Sequence, residues 1–116
     1  MNNAYFVDID GTLIKDFGNM HEQLTKSPEL LPGVMEKLEK WMKEDVKIIL
    51  TTARRESMRE ITEYQLKQVG IPYDMLIMGI GRGKRVVIND LKPNSYEGTA
   101  FAYNPERNVG LADCPH

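Results

Sequence analysis

The sequence has 116 residues, which is enough for one domain with a single core and too few for two. Its formal net charge of -2 gives no electrostatic reason to expect nucleic acid or an anionic membrane as the main partner. A single cysteine, Cys114, excludes an internal disulfide, and no apolar run reaches membrane-spanning length. Because the first residues also show no basic or apolar leader pattern, we expect a soluble, cytoplasmic protein.

Short apolar runs alternate along the chain with segments whose apolar residues have helical spacing. The runs are rich in β-branched or aromatic residues and predict strands at residues 5–7, 46–50, 75–78 and 86–88, with an edge strand at 99–103. Helical spacing predicts helices at residues 33–43 and 57–69, with Trp41 as a core anchor of the first. This alternation is typical of an α/β domain with a mainly parallel sheet, in which residues 15–27 form a loop.

Three of the predicted strands end in polar residues that can do chemistry. They are Asp8 with Asp10, Thr51 with Thr52, and Asn89 with Asp90. Ligands of parallel sheets bind outside the carboxyl ends of the strands, so we expect these ends to meet at one edge. Asp8 and Asp10 share a face of the first strand because side chains alternate along it. Two carboxylates on one face suit a hard divalent cation, which takes oxygen ligands.

These features also have simpler interpretations. An Asp-x-Asp-Gly-Thr stretch can be a solvated turn, since Asp and Gly are common turn residues. A calcium loop is disfavoured because Leu13 and Ile14 interrupt the oxygen ligands that such a loop needs. Thr51 and Thr52 can simply end a strand and cap the next helix.

Two other kinds of site are excluded. The glycine-rich turn at residues 79–85 is not a P-loop, because Met78 stands where glycine is needed and Arg85 where Ser or Thr should bind the metal. Cys114 and His116 offer too few ligands for a zinc site. We therefore expect Cys114, His116 and His21 to be solvated.

Together these stretches resemble the haloacid dehalogenase-like (HAD) phosphohydrolases. The resemblance rests, in the family's order, on residues 6–12, 48–54, 83–84 and 86–90. It implies one three-layer α/β/α Rossmann-like domain over residues 1–116, with a core at about 4–95 and an irregular tail at about 96–116. The intervals between these stretches have no room for a cap domain, so the chain resembles the small capless phosphatases of the group.

The resemblance implies a Mg²⁺-dependent phosphomonoester hydrolase that works through an aspartyl-phosphate. Asp8 would be the nucleophile, and Asp10 would protonate the leaving group and then activate the water. Mg²⁺ would be held by Asp8, Asp90 and the backbone carbonyl of Asp10. Asn89 stands where relatives often carry a second acid, which leaves this ligand set short of one carboxylate.

The resemblance also implies how the phosphoryl group would be held. The residues that would bind it are Thr51 or Thr52, the backbone near Ala53, and Lys84. Lys84 would neutralise Asp8 and the phosphate together, with Arg85 and Lys92 as rivals for that role. Arg54 would either contact the substrate or stand at the start of the helix without touching it.

The expected partner is a small phosphorylated substrate: a sugar phosphate, a polynucleotide end or a phosphoprotein. An open, capless site favours a homo-oligomer, and specificity would lie in residues 15–27 and 94–116. One alternative is a non-catalytic phosphate- or sugar-binding module on the same fold. A second alternative, a phospho-accepting receiver domain, is disfavoured because the middle strands end in Thr51-Thr52 and Met78-Gly79, where such a domain has its aspartate.

Overall fold

A computed structural model describes residues 3–94 and 96–116. In these residues the chain forms three strands, β1 (Ala4–Asp8), β2 (Lys47–Thr51) and β3 (Met75–Ile77). The helices are α1 (Met20–Thr25), α2 (Val34–Lys43) and α3 (Arg59–Val69), and a 3₁₀ turn at Glu56–Met58 leads into α3. None of these helices is long and apolar enough to cross a membrane.

The three strands form one parallel sheet in the order β1-β2-β3. Asp8 pairs with Thr51, and Thr51 pairs with Ile77, so the carboxyl ends of all three strands lie level at one edge. The predicted α/β fold with a parallel sheet is confirmed, and the predicted bounds of these strands and of α2 and α3 agree with the structure to within two residues.

Helix α2 buries one side against the sheet. Val34, Leu38 and Trp41 follow one another at helical spacing, and all three are buried. The ring of Trp41 lies edge-to-face on Tyr5 of β1, with the ring centroids 4.8 Å apart. Trp41 is therefore the core anchor that the sequence predicts, and burial of each such large side chain stabilises the fold by about 2 kcal/mol.

Two predicted strands and one predicted loop are wrong. Residues 86–88 and 99–103 form no strand, and Val86 and Ile88 are 76% and 93% exposed. β-Branched residues favour a strand only where a neighbour pairs with it, and in the described chain these segments have no ladder partner. In contrast, α1 lies within the predicted loop at 15–27, where the side chain of Asn19 caps it by accepting the backbone N–H of Glu22 at 2.9 Å.

Residues 104–116 form no helix or strand, as predicted for an irregular tail, but they are packed against the body of the domain. The backbone N–H of Asn108 donates to the carbonyl of Gly11, and that of Leu111 donates to the carbonyl of Pro32, both at 2.8 Å. Leu111 and Cys114 are buried, so the expectation that Cys114 is solvated is wrong. Leu111 and Cys114 belong to a core formed mainly by residues much earlier in the sequence. A local sequence pattern therefore does not reveal that they are buried.

Gly110 allows this close packing. Its φ is +91°, and a Cβ at this position would lie 2.2 Å from the carbonyl oxygen of Pro32. We expect Gly110→Ala to lower the free energy of unfolding by about 2–4 kcal/mol through backbone strain and collision. Urea unfolding of this variant beside Gly98→Ala measures the effect, because a Cβ at Gly98 meets nothing within 4 Å. An equal loss in both variants would contradict the packing described for residues 104–116.

Candidate active site at the carboxyl edge of the sheet

The chain turns sharply after β1, and this turn places the two aspartates. Ile9 is fully buried, and its carbonyl accepts the backbone N–H of Leu13 at 2.9 Å. Gly11 has a φ of +85°, a conformation that glycine adopts without steric cost. Ile9 thus enters the core, while Asp8 and Asp10 remain outside it and lie close enough to repel each other.

Asp8 ends β1 opposite Thr51 and is exposed to solvent at the sheet edge. Partial burial of its carboxyl group raises its pKa above the ordinary value of 3.8, and the negative charge of Asp10 acts in the same direction. A hydrogen bond from the backbone of Ile9 and the positive charge of Arg85 act against this shift. The anion of Asp8 is therefore less stabilised than a solvated carboxylate and more basic, and a cation placed beside it would stabilise it.

Asp10 is held on both carboxylate oxygens. Nε of Arg54 donates to Oδ2 at 2.8 Å and Nη2 of Arg54 donates to Oδ1 at 2.7 Å. Nε2 of Gln23 also donates to Oδ1, at 2.8 Å. This bidentate contact between guanidinium and carboxylate is a strong, charge-assisted interaction, and it fixes the orientation of the Asp10 carboxylate.

Arg54 lies inside the domain, with only 2% of its surface exposed. Besides holding Asp10, its Nη1 donates to Oγ1 of Thr62 at 3.0 Å and to Oε1 of Gln65 at 2.7 Å, both on α3. Each of the three guanidinium nitrogens of Arg54 is directed to a protein acceptor, which disfavours the predicted contact of Arg54 with substrate. Burial of a guanidinium is tolerated only when it is paired and hydrogen-bonded in this way.

Gln23 and Gln65 complete the set that surrounds the ion pair. The side chain of Gln23 accepts the N–H of Phe17 and donates to the carbonyl of Lys15, each at 2.8 Å. Nε2 of Gln65 donates to the carbonyl of Gln23 at 2.9 Å. These hydrogen bonds join residues 15–27, which include α1, to α3 and to Asp10. We refer to Asp10, Arg54, Gln23, Thr62 and Gln65 as the Asp10 network.

Three members of the Asp10 network, Gln23, Thr62 and Gln65, are absent from the sequence-based prediction. Thr62 and Gln65 are fully buried or nearly so, although they are polar and stand three residues apart on α3. Polar residues on the inward side of a helix are a signal for a buried polar partner, and this signal could have been found. Gln23 gives no such signal, because it lies on a short helix that the sequence does not predict.

The two threonines at the end of β2 have different surroundings. Thr51 is half-buried and lies level with Asp8 in the sheet, whereas Thr52 is 1% exposed. Oγ1 of Thr52 accepts the backbone N–H of Arg54 at 3.0 Å, and its own N–H donates to the carbonyl of Ile77 at 3.0 Å. Of the two threonines predicted to bind phosphate, Thr51 is the one that the sheet sets beside Asp8, and the half-buried Ala53 follows in the turn.

Arg85 lies close enough to Asp8 for its positive charge to stabilise the Asp8 carboxylate. Its charge lowers the pKa of Asp8, and its guanidinium donates to the carbonyls of Gly81 and Gly83 at 2.8 and 2.6 Å. Lys84, the residue predicted for this role, is exposed. The electrostatic contact with Asp8 therefore favours Arg85 among the rivals that the sequence leaves open.

Asp90 does not join the two acids of β1. It is exposed and forms an ion pair with Lys92. Within residues 3–94 and 96–116, no three His, Cys, Asp or Glu side chains gather in a way that could hold a metal ion. The predicted set of Asp8, Asp10 and Asp90 is thus not assembled, because residues 86–90 do not form the strand that was to carry Asp90 to the sheet edge.

Comparison with solved structures supports the fold. A chain from the structure of the Pnkp1/Rnl/Hen1 complex is 28% identical with a TM-score of 0.59, over 73% of this chain and 30% of that one. A chain from the Pnkp1/Rnl/Hen1 RNA repair complex is 25% identical with a TM-score of 0.57, over 84% and 28%. A structural-genomics target from Vibrio cholerae is 21% identical with a TM-score of 0.54, over 76% and 79%.

The chain spans about 30% of the length of the two Pnkp1/Rnl/Hen1 chains that it matches. The Vibrio cholerae structure, at 21% identity, bears on the fold alone. No protein-family model matches the sequence, and no curated protein is significantly similar to it.

Loss of the Arg54 guanidinium is expected to destabilise the domain. Arg54→Met leaves the carboxylate of Asp10 and the polar atoms of Thr62 and Gln65 without their buried partner, at a cost of about 3 kcal/mol or more. Arg55→Met is the matched control, since Arg55 is exposed, and is expected to change stability by less than about 0.5 kcal/mol. Urea unfolding measures both, and equal midpoints would contradict the Asp10 network.

The raised pKa of Asp8 predicts a pH-dependent effect of Asp8→Asn. A carboxyl whose pKa is higher in the folded state stabilises the fold less once it is ionised, so the variant is expected to be more stable than wild type at pH 7. The difference should shrink as the pH falls through the raised pKa and towards 3.8, where the wild-type group becomes neutral in both states. Thermal unfolding in EDTA at several pH values measures this, and a difference that is constant with pH would contradict it.

Proposed function

We propose that this protein is a Mg²⁺-dependent phosphomonoester hydrolase that forms an aspartyl-phosphate on Asp8. The observation that carries the proposal is the contrast between two neighbouring carboxylates. Asp8 is accessible and more basic than usual, whereas Asp10 is clamped in one orientation by Arg54 and Gln23. Adjacent acids whose environments differ in this way are suited to separate nucleophilic and acid–base roles.

Asp8 would attack phosphorus and take the phosphoryl group, and Asp10 would protonate the departing oxygen. An ionised carboxylate has about two acceptor positions on each oxygen. In the described residues, Oδ1 of Asp10 accepts from both Arg54 and Gln23, whereas Oδ2 accepts from Arg54 alone. Oδ2 is therefore the atom on which Asp10 would carry the proton to the leaving group and later remove one from water.

The oxygen donors at this edge fit Mg²⁺, which is commonly bound through one or two carboxylates together with substrate phosphate. Asp8 would hold the ion with its carboxylate and Asp10 with its backbone carbonyl. When bound, Mg²⁺ would neutralise the charge shared by the nucleophile and the phosphate. The third predicted ligand, Asp90, lies elsewhere in the described structure.

The cationic and hydroxyl groups beside Asp8 would hold the phosphoryl oxygens. Arg85 is close enough to shift the pKa of Asp8, and Thr51 lies level with Asp8 in the sheet. The backbone N–H groups of the turn at Ala53 would add neutral hydrogen-bond donors. Lys84 would add a further cation. A carboxylate can approach an anionic phosphate only when such groups offset both charges.

Among the three substrate classes, a polynucleotide end is favoured. Two matched chains come from the Pnkp1/Rnl/Hen1 complex, one of them described as an RNA repair complex. Binding along many phosphates of a nucleic acid requires an excess of positive charge, and the formal net charge of this chain is -2. The proposal therefore concerns binding of the terminal phosphate and not of an extended strand. Sugar phosphates and phosphopeptides are the competing substrates.

Phosphate release from a panel of substrates tests the proposal. The panel contains sugar phosphates, end-phosphorylated oligonucleotides and phosphopeptides, each with Mg²⁺ and with EDTA. We expect release that requires Mg²⁺, that falls to background in Asp8→Asn, and that drops by about 10²–10⁴-fold in Asp10→Asn. Asp113→Asn, at an exposed position in the C-terminal segment, is the matched control and should retain wild-type rates.

A wild-type protein that binds Mg²⁺ and phosphate but releases none from any substrate would contradict the hydrolase. That result would support the binding module on the same fold. Release that persists in Asp8→Asn would contradict the assignment of the nucleophile.

A further inference from the structure

Arg107 lies beside the turn that carries Asp10, although it stands near the other end of the sequence. A Cβ built on Gly11 would lie 3.1 Å from Cγ of Arg107 and 3.9 Å from its Cδ. The aliphatic part of the Arg107 side chain therefore covers the side of Gly11 on which other residues carry a side chain. Since Gly11 directly follows Asp10, this contact brings Arg107 to the carboxyl edge of the sheet.

The backbone at Arg107 is held in place by its neighbour Asn108. The N–H of Asn108 donates to the carbonyl of Gly11 at 2.8 Å. Its side chain binds Asp16 twice, since Oδ1 accepts the N–H of Asp16 at 2.7 Å and Nδ2 donates to the carbonyl of Asp16 at 3.1 Å. Asn108 also has a φ of +65°, a conformation that is uncommon outside glycine and that surrounding contacts must enforce. These hydrogen bonds fix the position from which Arg107 extends.

The charged end of Arg107 faces solvent. Its side chain is 74% exposed, and Nε lies 3.8 Å from Oδ2 of Asp16, which is longer than a hydrogen bond. Within the described residues, this contact leaves Nη1 and Nη2 of Arg107 without a hydrogen-bond acceptor. The paired nitrogens of a guanidinium bind phosphate and carboxylate groups in a bidentate manner. Arg107 is therefore positioned to bind an anion.

Arginines near this edge of the sheet differ in what they can bind. Arg54 is buried, and its nitrogens are directed to protein acceptors. Arg85 donates to two backbone carbonyls, and its charge acts on the carboxylate of Asp8. The charge of Arg107 does not contribute to the shifted pKa of Asp8. A phosphoryl group at Asp8 would thus be held by Arg85, and Arg107 would meet a different part of the substrate.

We propose that Arg107 binds a second oxyanion of the substrate, next to the phosphate that Asp8 would attack. This inference rests on the proposed function and states what the substrate carries besides its reacting phosphate. A polynucleotide end, the substrate that the proposed function favours, has such an oxyanion in the phosphodiester beside its terminal phosphate. A phosphorylated sugar acid has one in its carboxylate. Arg107 would select these substrates over phosphomonoesters that have no second negative group.

Steady-state kinetics on paired substrates test this selection. One pair is a dinucleotide with a terminal phosphate and the corresponding nucleoside monophosphate, each in its 3′ and 5′ form. The other pair is a phosphorylated sugar acid and the sugar phosphate without the carboxylate. In Arg107→Met, we expect KM to rise about tenfold for the member of a pair that has the second oxyanion, and to change less than about twofold for the other member.

The pair that responds identifies the source of the oxyanion. Methionine keeps the aliphatic contact with Gly11, so the variant removes the charge and not the packing. Arg107→Lys keeps the charge but loses the bidentate geometry, and an intermediate KM is expected. An equal change of KM for both members of each pair in Arg107→Met would overturn the inference.

Lys43→Met is the control for charge alone. Lys43 is an exposed residue in the last turn of α2, which precedes the amino end of β2 and so lies away from the carboxyl edge of the sheet. This variant removes one positive charge and should leave every KM unchanged. A rise in KM equal to that of Arg107→Met would overturn the inference, because position would then have no effect.

Asp16→Asn distinguishes binding of substrate by Arg107 from a purely structural ion pair. Asparagine keeps the oxygen that accepts the N–H of Gly18 at 2.8 Å, but it removes the charge that competes for the guanidinium. We expect KM for the substrate with the second oxyanion to fall by about twofold or more. If Asp16→Asn and Arg107→Met both raised this KM, the ion pair itself would be what matters, and the inference would be overturned.

Equilibrium binding separates this inference from the proposed activity. A fluorescently labelled dinucleotide with a terminal phosphate is titrated with Asp8→Asn protein in Mg²⁺ at several salt concentrations, and the phosphorylated sugar acid is used as a competitor. Adding Arg107→Met should weaken binding of one of these ligands about tenfold. For the dinucleotide, the slope of the logarithm of the binding constant against that of the salt concentration should fall by about 0.7, the value for one lost phosphate contact on a single strand.

The two failures are distinguishable. Unchanged binding of both ligands in the Arg107→Met background would overturn the second-oxyanion site, whether or not the wild-type protein releases phosphate. Binding that depends on Arg107, in a wild-type protein that hydrolyses no substrate, would contradict the proposed function and leave the second-oxyanion site standing.

Discussion

The buried ion pair between Arg54 and Asp10 is the constraint on which the rest of the structure depends. A guanidinium taken out of water costs several kcal/mol unless its N–H groups are all directed to acceptors. Here the acceptors come from the turn after β1 and from two positions on α3, and Gln23 supports the carboxylate from α1. These elements cannot shift independently, because any such shift would leave a buried charge without its partner.

The same constraint separates the chemistry of the two aspartates. They are two residues apart, yet Asp10 is held by the guanidinium of Arg54 and the amide of Gln23, whereas Asp8 faces solvent with a raised pKa. Under the proposed activity, the environment of each aspartate, and not its residue type, would set its role, as with paired carboxylates in acid–base enzymes generally. An Asp10 fixed in one orientation beside an accessible Asp8 is also a preorganised arrangement, which would cost no rearrangement on binding the proposed substrate.

The sequence predicted well those features that depend on local patterns. Apolar runs and helical spacing located the three strands of the sheet and two of the helices, and they set Asp8 at the end of the first strand. Features that depend on distant partners were missed. The role of Arg54 was left open between substrate contact and the start of the helix, because the sequence does not show that its acceptors lie in the turn after β1 and on α3. Residues 86–88 were assigned to the sheet because β-branched composition does not reveal whether a neighbour pairs. Cys114 is buried in the core of the domain, and its carbonyl accepts from Lys37 of α2, far from it in the sequence.

The packing of residues 104–116 has a consequence for how the protein is made. The loop that carries Asp10 is held by the N–H of Asn108, and the segment before α2 is held by that of Leu111. A chain emerging from the ribosome can pair β1 with β2 early, since those contacts lie within the first half of the sequence. It cannot close the loop around the two aspartates until Asn108 has been translated. The turn that carries Asp10 therefore takes its final form only after the strand pairing of the sheet is established.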